Sequence, residues 1–253
     1  MKTARTRRSA PERKALWTVR GDGNEELSLA LVLSGYGDAW VAAGLGRAIG
    51  AGHTLYALQP PPEARGMAAP ELAALYARHL RTAQPAGRYC VCGYSAGAVL
   101  ALEVAKALRA DGAEVGFVAM LDPFFVNWSA YERTVYRWVM NARRFLERIV
   151  PVPVPLFGVL AAMDNDEGFK IHLGALTNHR IGRYAGKIIC YRTRQAFGKP
   201  PLLMTQLRWF TRASVQIEIV PGNHHTFIRA PHVADLGRRL RETMERAGNV
   251  SAQ

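Results

Sequence analysis

Ser95 lies in the run Gly93-Tyr-Ser-Ala-Gly97, a G-x-S-x-G pattern whose flanks carry as much meaning as its five residues. Before it, Tyr89-Cys-Val-Cys92 is short, mostly apolar and β-prone, as a buried strand should be. After it, Ala98 to Leu108 is rich in Ala, Leu, Val and Glu at helical spacing. A serine on a sharp turn between strand and helix can stand above a sheet as a nucleophile, and Gly93 and Gly97 let the two elements pass closely around it. The chemistry expected is acyl transfer through a covalent ester.

Such a serine needs a base, and the base needs a group to orient it. Asp122 ends an apolar run in Leu121-Asp122-Pro123, and His224 follows another in Val220-Pro-Gly-Asn-His224. Taken singly, an aspartate at a strand end is a turn residue and a histidine after a glycine loop is a surface residue. Together with Ser95 they follow the order nucleophile, acid, base, each where a strand ends. His225 and His232 compete for the role of base. His232 falls in the first turn of a helix, where a surface or capping role suits it better.

The elements that must position these groups follow from hydrophobic pattern. Leu16-Trp-Thr-Val19 suits an edge strand, and Leu29 to Leu33 a buried one, broken by Ser34-Gly-Tyr-Gly37. Asp38 is placed to cap a helix running to about Ile49. Further strands are expected at Thr54–Leu58, Val115–Leu121, Lys187–Tyr191 and Val215–Val220. Helices are expected at Ala69–Ala83, opening near Pro70, and from Pro231 to about Ala247. Strands alternating with helices predict an α/β fold: a mostly parallel central sheet covered by helices on both faces.

Length and charge set the outer bounds. The 253 residues fit one large domain, and an apolar share of 49% supports a core that needs no staples. Cys90, Cys92 and Cys190 all fall on expected strands, which favours core packing over disulfides or zinc and a reducing, cytoplasmic setting. No apolar run approaches membrane-span length. The net charge of +13 divides into +5 on the first 14 residues and +8 on the rest. Residues 1–15 therefore read as a basic, disordered arm ahead of a domain over 16–253. A basic surface suits nucleic acid, a membrane surface or an acidic protein, or simply solvation. A nucleic-acid-binding protein would explain the charge but leave the Ser, Asp and His order without a reason.

These motifs together resemble the thioesterase family of nonribosomal peptide and polyketide assembly lines, within the α/β-hydrolase fold. The likeness spans roughly Leu29 to Arg241. It rests on Gly93-Tyr-Ser-Ala-Gly97, on Met120-Leu-Asp122 placed 27 positions after Ser95, and on Trp209 ahead of Val215-Gln-Ile-Glu-Ile-Val-Pro-Gly-Asn-His224. The resemblance implies Ser95, Asp122 and His224 as the catalytic set, with His225 where the family is usually apolar or aromatic. It implies an oxyanion hole of backbone N–H groups, one from Ala96 and one from Leu33 or Ser34. The sequence departs from the family where Pro-x-Gly-Gly is common and Leu33-Ser-Gly-Tyr-Gly37 stands instead. A generic carboxylesterase would share the same three residues.

The resemblance also implies a helical lid insertion at about 124–185. Tyr131, Val135, Trp138, Val139, Ala142, Phe145, Leu146, Ile149 and Val150 repeat as one helical face. Arg133, Arg137, Arg144 and Arg148 fall within a stripe of about 60° on the opposite side, at 100° per residue. Pro151-Val-Pro-Val-Pro155 ends that helix, and a second starts near Asp166 with Phe169, His172, Leu173 and Leu176. The arginine stripe suits docking of an acidic acyl or peptidyl carrier protein, met in trans. No metal and no bound cofactor are implied; phosphopantetheine arrives on the carrier with the acyl thioester.

Overall fold

The structure, a computed structural model, describes residues 14–20, 27–35, 38–123, 138, 166–193, 211 and 215–249. Seven strands form one sheet: β1 (Leu16–Arg20), β2 (Leu27–Val32), β3 (Thr54–Leu58), β4 (Arg88–Tyr94), β5 (Val115–Leu121), β6 (Ile188–Thr193) and β7 (Val215–Val220). Their order across the sheet is β1-β3-β2-β4-β5-β6-β7. Only β1 runs antiparallel, against β3; every other pair is parallel. A parallel sheet needs crossovers, and helices α1 (Ala39–Ile49), α2 (Ala69–Ala83), α3 (Gly97–Ala110), α4 (Glu167–Leu176) and α5 (Val233–Asn249) lie between or after its strands.

Both faces of the sheet are buried, which is why its strands read as continuous apolar runs rather than alternating ones. The period-2 alternation sends Ala30, Val32, Val91, Val118, Met120 and Cys190 to one face, where α2, α3 and α4 cover them. Leu29, Leu31, Cys90, Cys92, Phe117 and Ala119 go to the other, against Val41, Leu45 and Ile49 of α1 and Leu236, Leu240 and Met244 of α5. Cys90 and Cys92 share a face, as their spacing predicts. All three cysteines are free and buried, and burial pushes the Cys90 and Cys190 thiols up to about 12.

The expected elements that fall on described residues are present, several with the expected bounds and the others moved by one or two residues. Two differences bear on function. Asp38 stands at the N-terminus of α1 but its carboxyl makes no cap to that helix. It turns back and accepts the Gly35 N–H at 3.2 Å, a local Asx-type bond that competes with capping. The stretch from Asp166 is a helix, with the Asp166 carboxyl accepting the Phe169 N–H at 2.9 Å. Phe169, Ile171, His172, Ala175 and Leu176 are buried, so this part of the expected insertion is a packed wall of the core. Trp138 is helical, as the periodicity expects, and 74% exposed. The remaining lid positions, the four arginines, the Pro151–Pro155 run, Trp209, Tyr36, Gly37 and the basic arm up to Arg13 lie outside the described residues. Among the described residues no helix is long and apolar enough to cross a membrane.

Candidate active site

Ser95 follows the last residue of β4 and precedes α3. Its φ of 54° places it in the left-handed region, which costs a non-glycine residue of order 1–3 kcal/mol and persists only where the surroundings impose it. Those surroundings are visible. A Cβ on Gly93 would stand 2.2 Å from the Gly97 carbonyl oxygen, and one on Gly97 would stand 2.4 Å from the Val32 carbonyl oxygen. Backbone cannot retreat from such contacts, so both positions must be glycine. The Ser95 N–H donates to the Leu121 carbonyl at 3.0 Å, tying the turn to the end of β5.

Asp122 begins where β5 stops, also at a positive φ, of 43°. It is almost fully buried, and its N–H donates to the Tyr191 carbonyl of β6 at 2.7 Å. The carboxylate is held from several sides. Thr193 donates its N–H to Oδ1 and its hydroxyl to Oδ2, both at 3.3 Å, and the Arg192 guanidinium lies 3.7 Å from Oδ1. Sequence reasoning missed both residues, because only the pairing of β5 with β6 brings them to Asp122.

His224 joins the other two. Its Nδ1 is 2.8 Å from Asp122 Oδ2, and its Nε2 is 3.1 Å from Ser95 Oγ. A carboxylate facing Nδ1 calls for the proton there, which leaves Nε2 to accept from the serine hydroxyl. Tyr94 stacks on the imidazole with ring centroids 5.3 Å apart and donates its hydroxyl to the His224 carbonyl at 3.0 Å. Asn223 shapes the loop by accepting the N–H groups of His225 and Thr226 at 3.0 and 3.1 Å. His225 meets His224 edge-on at 5.2 Å, and its backbone is what the loop uses. His232 lies under the loop against Gly222. Of the three histidines the sequence left open, His224 is the one that lies within hydrogen-bond distance of both Ser95 and Asp122.

The loop after β2 lies beside the serine. Val32 pairs in register with Gly93, and the Val32 and Leu33 carbonyls press on Gly97. Of the two residues offered as second oxyanion donor, Leu33 is corrected: its N–H already donates to the Leu58 carbonyl of β3 at 3.0 Å. Leu33 follows the last residue of β2 and still bonds to β3, within the strand expected to reach it, which consumes that amide. Ser34 stays in place as a candidate. Asp38 takes part as well, with its carboxyl accepting the Gly35 N–H at 3.2 Å. Burial pushes Asp38 up to about 6; Asp166 adds to the rise, while the backbone of the Ser34–Gly35 loop and His224 oppose it.

Known proteins share parts of this sequence and its fold. Residues 40–148 match the model of the family described as "Thioesterase domain", a span that holds Ser95 and Asp122. Microperfuranone synthase of Emericella nidulans is 53% identical over 47 residues, 19% of this chain and 5% of that protein. Atromentin synthetase of Tapinella panuoides is 26% identical over 213 residues, 70% of this chain and 22% of that protein. The chain thus spans less than a quarter of the length of either relative. Among solved structures, the NocB thioesterase domain in covalent complex with a fluorophosphonate nocardicin G analogue matches with a TM-score of 0.65 at 23% identity, over 90% of this chain and 99% of that one. A four-domain nonribosomal peptide synthetase bound to AMP and glycine matches with a TM-score of 0.68 at 18% identity, over 91% of this chain and 20% of the synthetase. At such identities these two likenesses carry the fold.

Proposed function

We propose, from the match of residues 40–148 to the thioesterase domain family, that this chain releases or transfers an acyl or peptidyl chain from a phosphopantetheinyl carrier in natural-product assembly. The observation that carries the reading is the relay from Ser95 Oγ through His224 to Asp122, at 3.1 and 2.8 Å.

In this mechanism His224 Nε2 takes the hydroxyl proton as Ser95 Oγ bonds to the thioester carbonyl carbon. Asp122 keeps the other imidazole proton on Nδ1 and stabilises the cation that forms. The carbonyl oxygen becomes an oxyanion that backbone N–H groups of Ala96 and the loop at Ser34 stabilise. As the carbon–sulfur bond breaks, His224 returns its proton to the pantetheine thiolate, and the acyl group stays on Ser95. Water, or a hydroxyl or amine of the substrate, then attacks that ester with His224 again as base. The products are an acid, a lactone, an amide or a transferred ester. Phosphopantetheine comes and goes with the carrier. In this reading Arg133, Arg137, Arg144 and Arg148 draw an acidic carrier to the lid.

Intact mass spectrometry after incubation with acyl-N-acetylcysteamine thioesters tests the core of the reading. The protein should gain the mass of one acyl group, and Ser95→Ala should gain none. Acylation of the alanine variant, or wild type that hydrolyses simple esters far faster than thioesters, would overturn it; the second result would make the chain a general carboxylesterase.

A further inference from the structure

His172 is fully buried, and the mechanism so far has no use for it. It lies on α4, a helix otherwise chosen for its apolar inner face, where a leucine would avoid the cost of burying a polar ring. Both ring nitrogens are engaged. Nδ1 lies 3.1 Å from the Ser34 carbonyl oxygen, and Nε2 lies 2.7 Å from the hydroxyl of Tyr76, itself fully buried on α2. A carbonyl only accepts, so Nδ1 must carry the proton, and Nε2 must accept from the tyrosine. Burial holds the ring neutral, with its pKa drawn down to about 4 against the pull of Asp166 and the loop carbonyls.

The consequence for the loop follows from peptide geometry. In a trans peptide the C=O and the N–H point in opposite directions. With the Ser34 carbonyl drawn toward His172, the Gly35 N–H of the same peptide is turned away, and there it meets the Asp38 carboxyl at 3.2 Å. One residue earlier, the Leu33 N–H is fixed to the sheet. The short segment beside the Ser95 elbow is thus clamped at three successive backbone groups, and His172 supplies the clamp that comes from outside the loop. We propose that His172, its tautomer set by the Ser34 carbonyl and its ring steadied by Tyr76, is a positioning residue that holds the Ser34 backbone in the orientation needed to receive the oxyanion formed at Ser95. This rests on the acyl-transfer reading above. It makes α4, across 138 positions of sequence, part of the machinery that stabilises the transition state.

Three variants test it, using the full chain and octanoyl-N-acetylcysteamine as substrate. His172→Phe keeps a ring but removes both bonds. It should lower kcat about tenfold or more with KM within about twofold, since a misplaced oxyanion donor affects the transition state alone. Inhibition by a trifluoromethyl ketone bearing the same alkyl chain, whose adduct carries the oxyanion, should weaken by a similar factor. His172→Asn retains an N–H donor near the Nδ1 position and should recover most of kcat. Tyr76→Phe should give a smaller loss, and imidazole nitrogen NMR should still place the His172 proton on Nδ1, where the Ser34 carbonyl holds it. A merely structural histidine predicts otherwise: kcat would follow the folded fraction alone, and asparagine would do no better than phenylalanine. Either that pattern or an unchanged kcat in His172→Phe overturns the proposal. A fluorophosphonate separates the two levels. If Ser95 reacts in wild type and His172→Phe at equal rates, only the positioning role falls; if Ser95 is inert in wild type, the acyl-transfer reading falls and takes the positioning role with it.

Discussion

Ser95 and Asp122 both hold positive φ, and each is a side chain that acyl transfer would use, so local strain and chemistry coincide. Replacing Ser95 by glycine should therefore relieve strain that alanine leaves in place. Chemical denaturation should find Ser95→Gly more stable than Ser95→Ala by about 1 kcal/mol, although neither variant turns over substrate. Equal midpoints would mean that the elbow is relaxed. The adjacent histidines make a second comparison. His224→Ala should lose activity by orders of magnitude, because the base is gone. His225→Ala should retain most of it, since the loop uses the His225 backbone, bonded to Asn223. Steady-state rates on one thioester decide between them. Sequence could name Ser95, Asp122 and His224 because each sits in a local signature at a strand end. It could not name His172, Thr193 or Arg192 as their support, since those contacts cross from other elements and leave no local pattern.

The elbow also depends on how closely β2, β4 and α3 approach one another. Gly97 is the tightest point between α3 and the end of β2, with no room for a methyl group against the Val32 carbonyl. Gly97→Ala should destabilise the protein by about 3 kcal/mol, at the upper end of ordinary overpacking costs, because backbone rather than a mobile side chain must yield. A thermal midpoint within a degree or two of wild type would show the contact to be soft. The strands and helices themselves were legible because both faces of a parallel sheet are apolar and each helix keeps its 3.6-residue stripe. Leu33 was harder to place. The Ser34-Gly35 break in pattern predicts the end of β2 closely, but the extra bond to Leu58 depends on how far β3 runs beside it. Asp38 does not cap α1 for a similar reason: an aspartate one residue before a helix can bond forward or backward, and here the Gly35 amide wins.

Across the whole molecule the charge of +13 is the feature that the fold does not require. If the arginines of the expected lid guide a carrier, Arg137→Glu with Arg144→Glu should slow turnover of a carrier-bound acyl chain several-fold and leave an acyl-pantetheine substrate nearly unaffected. The defect should shrink with added salt, because exposed charges are screened over about 8–10 Å at physiological ionic strength. Equal carrier-dependent rates for variant and wild type at low salt would leave the stripe as a solvated face. The architecture was readable in outline from the alternation of strands and helices, and the meeting of Ser95, Asp122 and His224 from their order along the chain. The purpose of the charge was not, because a cationic surface looks the same whether it meets a partner or only water.

The clamp around the Ser34–Gly35 peptide has a consequence for acid stability. Asp38 holds its proton up to about 6 in the fold, against an ordinary value of 3.8, and His172 stays unprotonated down to about 4, against 6.5. Near pH 5 the folded chain therefore keeps both neutral, while unfolding charges both: one proton leaves the carboxyl and one joins the imidazole. The carboxyl alone would make the fold less stable as pH rises from about 4 to 6, since the unfolded chain binds fewer protons there. The imidazole alone would make it more stable over nearly the same interval, since the unfolded chain binds more. Their slopes oppose, and the pair leaves stability almost level as the surroundings acidify. Single substitutions should expose each half. Relative to wild type, Asp38→Asn should lose stability on acidification from pH 6 to 4, and His172→Asn should gain it, as denaturant midpoints across that range would record. Parallel profiles for all three proteins would show that these two groups do not exchange protons on unfolding.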